Sequence, residues 1–160
     1  MEYTSLEKQQ YYTEIAALAE SLGYLIVDLH IVQDASSFKV SVVIVHMPSD
    51  DSGSQGIGIR DCTTIHRLLL PVFEDRLYPN DVYMEVTSPG MGRVIKNAAE
   101  FACFIGHQLQ VWDTMTENWI SGILLTANTE SLTLKLLQND EEKTLSYEHI
   151  KKAKLLYTEG

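Results

Sequence analysis

Val82-Tyr83-Met84-Glu85-Val86-Thr87-Ser88-Pro89-Gly90-Met91-Gly92-Arg93 is the stretch on which the reading of this chain turns. Val82 to Thr87 alternates apolar and polar residues, the period of a half-buried strand. Ser88-Pro89-Gly90 then fits a tight turn, with Pro presetting φ at one position and Gly free to take positive φ at the next. The pattern changes character across this stretch. Upstream the chain mixes helical and strand periods; downstream it consists of short strands separated by turns.

Upstream, Thr4 and Glu7 have capping-box spacing. Tyr11, Ile15, Leu18 and Leu22 follow at steps of four, three and four, which gathers them on one helical face ending at Gly23. Leu25–Gln33 and Phe38–Met47 are rich in Val, Ile and Leu and flank the turn-prone Asp34-Ala35-Ser36-Ser37. An antiparallel hairpin is expected. A polar loop runs from Pro48 to Gly58, and its composition predicts an exposed, mobile connection. Ile59–Leu77 is helical again, with Pro71 placed to kink or shorten the helix. Helix, two strands, helix and strand make a two-layer α/β domain, α-β-β-α-β, one sheet face being covered by both helices.

Downstream, Asn97 and Glu100 are placed to cap a short helix through Phe104, ending at Gly106. Five strand-like runs follow: Gln108–Trp112, Trp119–Thr126, Ser131–Leu137, Lys143–Tyr147 and Ile150–Leu156. Five short strands in so few residues predict a small, strongly bent β-barrel. The expected class is therefore α+β, with one domain over 1–90 and a second over 91–160.

The 160 residues and an apolar content of 45% suit one or two packed domains. No run reaches the roughly 18 to 20 apolar residues of a membrane span, and no signal peptide is evident, so a cytoplasmic protein without membrane attachment is expected. Cys62 and Cys103 lie far apart and read as free thiols. The net charge is −10, from 12 basic and 22 acidic residues, and both halves share the deficit. Such a body repels polyanions at long range and attracts basic proteins.

The stretch Glu85–Arg93 resembles the domain-junction signature of the RimP family of ribosome maturation factors, typically Glu-Val-Ser-Ser-Pro-Gly-Leu-Asp-Arg-Pro-Leu. Other regions match in order. They are Leu22-Gly23-Tyr24 with Val27-Asp28, then Arg60-Asp61-Cys62, Phe101 to Gly106, Gly122-Ile123-Leu124, Leu132-Thr133-Leu134 and Ile150 to Leu155. Gly92 stands where the family usually has Asp and Val94 where it has Pro, and the loop from Ser49 to Gly58 is longer than typical. The resemblance implies an N-terminal α/β domain and a C-terminal SH3-like or Sm-like barrel. It also implies a role in maturing the small (30S) ribosomal subunit by transient binding, with ribosomal RNA and the twelfth small-subunit protein as partners. An acidic factor engaging a very basic ribosomal protein makes electrostatic sense. A monomer is expected, with no cofactor and no metal.

Several local features admit both a structural and a functional reading. Ser88, Gly90 and Gly92 end a strand and begin a linker, or their exposed amides, with Arg93 and Lys96, hold an RNA phosphate. Lys151, Lys152 and Lys154 form the dense basic cluster of the chain. On a strand, Lys152 and Lys154 share one face with Lys151 opposite, either as a solvated sheet edge or as phosphate contacts. Trp112 and Trp119 flank a turn, packing the hairpin or offering a base-stacking platform. Gly53-Ser54-Gln55-Gly56 spells the GxxG of nucleic-acid-clamping KH loops. Here it would join strand to helix beside two aspartates, so a flexible loop is preferred. Gly56-Ile57-Gly58 is no dinucleotide fingerprint, because Asp61 stands at the third glycine position. His30, His46, His66, His107 and His149 are scattered without ligand spacing, and Ser88 has no nucleophile-elbow context. A binding protein is therefore expected rather than an enzyme. The alternative is an SH3-like or Sm-like protein-binding adaptor with no ribosomal role.

Overall fold

The structure, a computed structural model, describes residues 1–48, 56–90 and 92–156. The chain divides into two compact units, one holding Leu6–Met47 and Gln55–Pro89, the other Met1–Ser5 and Gly90–Gly160. The loop expected over Pro48–Gly58, with its GxxG, falls largely outside the described residues.

The first unit contains α1 (Tyr12–Glu20), β1 (Tyr24–Asp34), β2 (Ser37–His46), α2 (Ile59–Arg76) and β3 (Asp81–Thr87). β1 and β2 pair antiparallel as the hairpin requires, and β3 pairs parallel to β2. A parallel neighbour needs a crossover, which α2 supplies. Ile65, Leu69 and Phe73 recur at steps of four along α2 and are fully buried, as are Val40, Val42 and Ile44 at alternate positions of β2. The periods of 3.6 and 2 thus meet in one core, which Ile15 and Ala19 of α1 complete. Burying each large aliphatic side chain contributes about 1.5–3 kcal/mol.

Two expectations about the helices are corrected here. Thr4 does not cap α1: its amide donates to Asn97 Oδ1 at 2.9 Å, and Asn97 Nδ2 returns a bond to its carbonyl at 2.8 Å. The helix begins instead after Tyr11, which takes φ 70°, so Leu22 lies beyond its end and is exposed. Nor does Pro71 shorten α2, which runs unbroken through it to Arg76. Pro71 and Arg67, the residue whose carbonyl loses its helical partner, are both exposed, so water can take the orphaned acceptor.

The second unit opens on β4 (Val94–Ile95) and a 3₁₀ helix (Ala98–Phe104), whose first turn is capped by the Asn97 side chain accepting from the Ala99 amide at 3.1 Å. Then come β5 (Gln108–Asp113), β6 (Asn118–Ala127), β7 (Ser131–Leu136), β8 (Glu142–Ser146) and β9 (Ile150–Leu155). They form one sheet in the order β4-β9-β5-β6-β7-β8. The strongly bent barrel expected from these strands is seen as a single six-stranded sheet, in which, among the described residues, no pairing joins β8 to β4. The two end strands are short, and β4 offers only two residues to pair. Leu109, Val111, Leu124, Leu134 and Ala153 line its buried face with Phe101 and Phe104 of the 3₁₀ helix.

Candidate functional site

The three lysines of β9 owe their placement to an irregularity in pairing. Asp113 of β5 opposes Ile150, but Trp112 opposes Lys152, so Lys151 is an extra residue without a partner. Such a bulge resets the alternation by one. Ile150, Ala153 and Leu155 consequently all point inward, while Lys151 and Lys152 are exposed and Lys154 is half-buried. The reading of these lysines as a sheet edge is corrected: β9 lies between β4 and β5.

The register carries the outward face across three strands. Lys152 lies opposite Trp112, and Trp112 opposite Trp119; one step along, Lys154 lies opposite Gln110, and Gln110 opposite Ser121. The indole rings meet edge to face, with centroids 5.5 Å apart and planes at 78°. Lys154 Nζ stands 5.3 Å from the Trp119 ring centroid, a cation–π contact that leaves Trp119 40% exposed. Asp113 follows Trp112 in sequence and so faces inward, 2% exposed, where it accepts from the Met115 amide and the Thr116 hydroxyl. Burial pushes its carboxyl up, but these bonds, with Lys143 and His149, together outweigh it and hold the carboxyl below the usual range. The face therefore presents cations and aromatic rings while the neighbouring carboxylate is withdrawn from it.

The residues singled out around the junction are arranged differently. Ser88 and Gly90 are exposed. The Arg93 amide donates to the Gly90 carbonyl at 3.1 Å, closing a turn in which Gly92 has φ 69° and open space around it. Arg93 directs its guanidinium at Glu100, with Nε and Nη2 donating to one carboxylate oxygen at 3.0 and 2.8 Å. Both side chains are largely buried, so this charge serves the packing of the 3₁₀ helix. Lys96, just past β4, is exposed. The structure thus brings Lys152 and Lys154 together with the two tryptophans, whereas Arg93 is committed to an internal pair.

A second cluster lies in the first unit. Asp61, in the first turn of α2, accepts the Gly58 amide at 2.7 Å and the Tyr24 hydroxyl, and His46 Nε2 stands 3.6 Å away. The Tyr24 and His46 rings stack at 5.0 Å. These hydrogen bonds, Tyr24 first, hold the Asp61 carboxyl below its usual range, while burial and then the Asp61 carboxylate push the Tyr24 hydroxyl up to about 12. Burial likewise raises the Cys62 thiol, which disfavours a reactive thiolate. The arrangement fastens the start of α2 to the hairpin. Gly58 and Asp61 are three residues apart, a capping spacing that the sequence reading passed over because glycine at the cap has no side chain to signal it. Among the described residues no group of three His, Cys, Asp or Glu side chains is arranged to hold a metal, and no helix is long and apolar enough to cross a membrane.

Residues 14–92 match the family model described as the RimP N-terminal domain. The chain belongs to the RimP family. The matched span runs from within α1 through β3 to the turn at Gly92, so it contains the Tyr24–Asp61 cluster and the whole first unit's sheet. RimP proteins are ribosome maturation factors, and the resemblance seen at Glu85–Arg93 falls at the end of the matched span. The lysine–tryptophan face lies beyond it.

Proposed function

We propose that this RimP-family chain helps the small (30S) ribosomal subunit to mature, binding the immature subunit transiently and leaving once assembly has advanced. The observation that carries this reading is the family match over residues 14–92. The action is binding rather than bond chemistry, in the cytoplasm, by a monomer. Residues 1–90 and 91–160 act as the two domains, the second an SH3-like barrel. Its meander of short strands, bent by pairing shifts at Trp112/Asp113 and Leu124/Thr126, supports that assignment.

The net charge of −10 favours a basic ribosomal protein, the twelfth of the small subunit, as one partner. Ribosomal RNA is the other. Ser88, Gly90, Gly92, Arg93 and Lys96 at the junction and Lys151, Lys152 and Lys154 on β9 are the proposed contacts. The exposure of Lys96, Lys151 and Lys152 and the place of Lys154 on the outward face of β9 support phosphate contact there, whereas Arg93 would have to leave its pair with Glu100 to join them. The test is genetic: deleting the gene from its host leads to accumulation of precursor small-subunit RNA and slow growth, most marked at raised temperature. A deletion strain with normal precursor processing and a normal subunit profile refutes the proposal.

A further inference from the structure

We infer that the outward face of β9, β5 and β6 is a stacking platform for single-stranded RNA, on which unpaired bases lie against Trp119 and Trp112 while Lys152 and Lys154 hold the adjoining phosphates. This rests on the ribosomal reading above and deepens it by naming a surface and a mode of contact. Three observations carry it. The register sets two cations, two indoles and the polar Gln110 and Ser121 side by side on adjacent strands. Trp119 keeps 40% of its surface exposed in spite of Trp112 at its edge, and a large aromatic serving only to pack a hairpin would bury more of itself. Lys154 Nζ lies over the Trp119 ring, 5.3 Å from its centroid, so a base that takes its place on the indole leaves the displaced ammonium within reach of the adjoining phosphate.

The chemistry of the partner follows from charge and shape. A basic protein is repelled by lysines at this spot, although the chain as a whole attracts one. The bases of a duplex are already stacked on one another and offer the indoles no free face. A single strand offers π-faces and a phosphate at every step, and stacking accepts any base. Inside a chain of charge −10, two or three lysines give modest, salt-sensitive affinity, as suits a factor that must leave.

The experiment is a titration of the full-length protein with a twelve-residue oligouridylate at low salt, following quenching of indole fluorescence. Saturable quenching is expected, and Trp119→Ala weakens binding about five- to hundredfold. Trp119→Phe, which keeps an aromatic face and the fold, retains most of the affinity. Lys152→Gln with Lys154→Gln flattens the salt dependence, whose log–log slope falls in magnitude by about 1.4. Absence of binding by the unaltered protein, equal affinity in the Trp119→Ala and Lys→Gln variants, or equal binding of duplex RNA or polyglutamate overturns the inference. If the protein sediments with small subunits yet fails to bind oligouridylate, this surface assignment falls and the maturation role stands. Oligouridylate binding lost in the variants, in a protein that never meets small subunits, leaves the platform in place and removes the ribosomal role.

Discussion

Replacing Asp61 by Ala removes an acceptor on which two groups depend. The Gly58 amide at the start of α2 loses its 2.7 Å bond, and loss of such a cap costs about 1 kcal/mol. The Tyr24 hydroxyl loses its carboxylate on a side chain that is only 8% exposed, and a buried polar group left without a partner costs about 1–3 kcal/mol. Together Asp61→Ala should lower unfolding stability by about 2–4 kcal/mol. Urea unfolding followed by circular dichroism measures it. In a Tyr24→Phe background there is no hydroxyl to strand, so the same substitution should cost about 1 kcal/mol, the cap alone. The cluster also sets a pH dependence. The folded pKa of Asp61 lies below its unfolded value, so its contribution is complete above the ordinary aspartate range and is lost as pH falls through the folded value. Asp61→Asn should therefore flatten the acid limb of the stability profile. A cost for Asp61→Ala below about 0.5 kcal/mol, or one unchanged by Tyr24→Phe, would refute the reasoning.

Three further outcomes are expected. Gly122→Ala would place a Cβ 2.7 Å from the Lys135 carbonyl oxygen and 3.0 Å from Leu134 Cβ, so β6 and β7 must part; a loss of about 1–3 kcal/mol in urea unfolding is predicted, and a neutral substitution would contradict the close approach. Arg93→Ala leaves Glu100, 7% exposed, without its guanidinium and should cost about 3 kcal/mol, while adding Glu100→Gln should recover much of that loss in a double-mutant cycle. Burial pushes the hydroxyls of Tyr24 and Tyr147 up to about 12, so absorbance at alkaline pH should show a late tyrosine phase; each stabilises the fold below the ordinary value of 10 and ceases to as pH rises through 12. Absence of that late phase, or its survival in Tyr24→Phe with Tyr147→Phe, would rule out that burial.

Much of this architecture was legible because local periods decided it. The α2 stripe, the β1–β2 hairpin and the five strands after Gln108 each follow from an apolar pattern that packing did not override. What escaped depended on distant partners. Thr4 and Glu7 spell a capping box, yet Asn97 claims Thr4, and nothing in the sequence near Thr4 announces that bond. β4 has two residues and no period to detect, so its pairing with Lys154 and Ala153 was invisible, and with it the interior position of β9. The candidate face shows the same division. Lys152 and Lys154 were readable as one face from alternation, and Trp112 and Trp119 as a pair across a turn. That the two pairs adjoin is a matter of sheet order, which alternation alone does not specify. Lys151 was misplaced because a bulge adds a residue without leaving a sequence signature.

The central claim is a transient partnership with the immature small subunit, and sedimentation of the tagged protein from its host's lysate tests it most directly. At low salt the protein should peak with free small subunits and be absent from joined ribosomes, and moderate salt should release it. A protein that stays at the top of the gradient under both conditions would contradict the account.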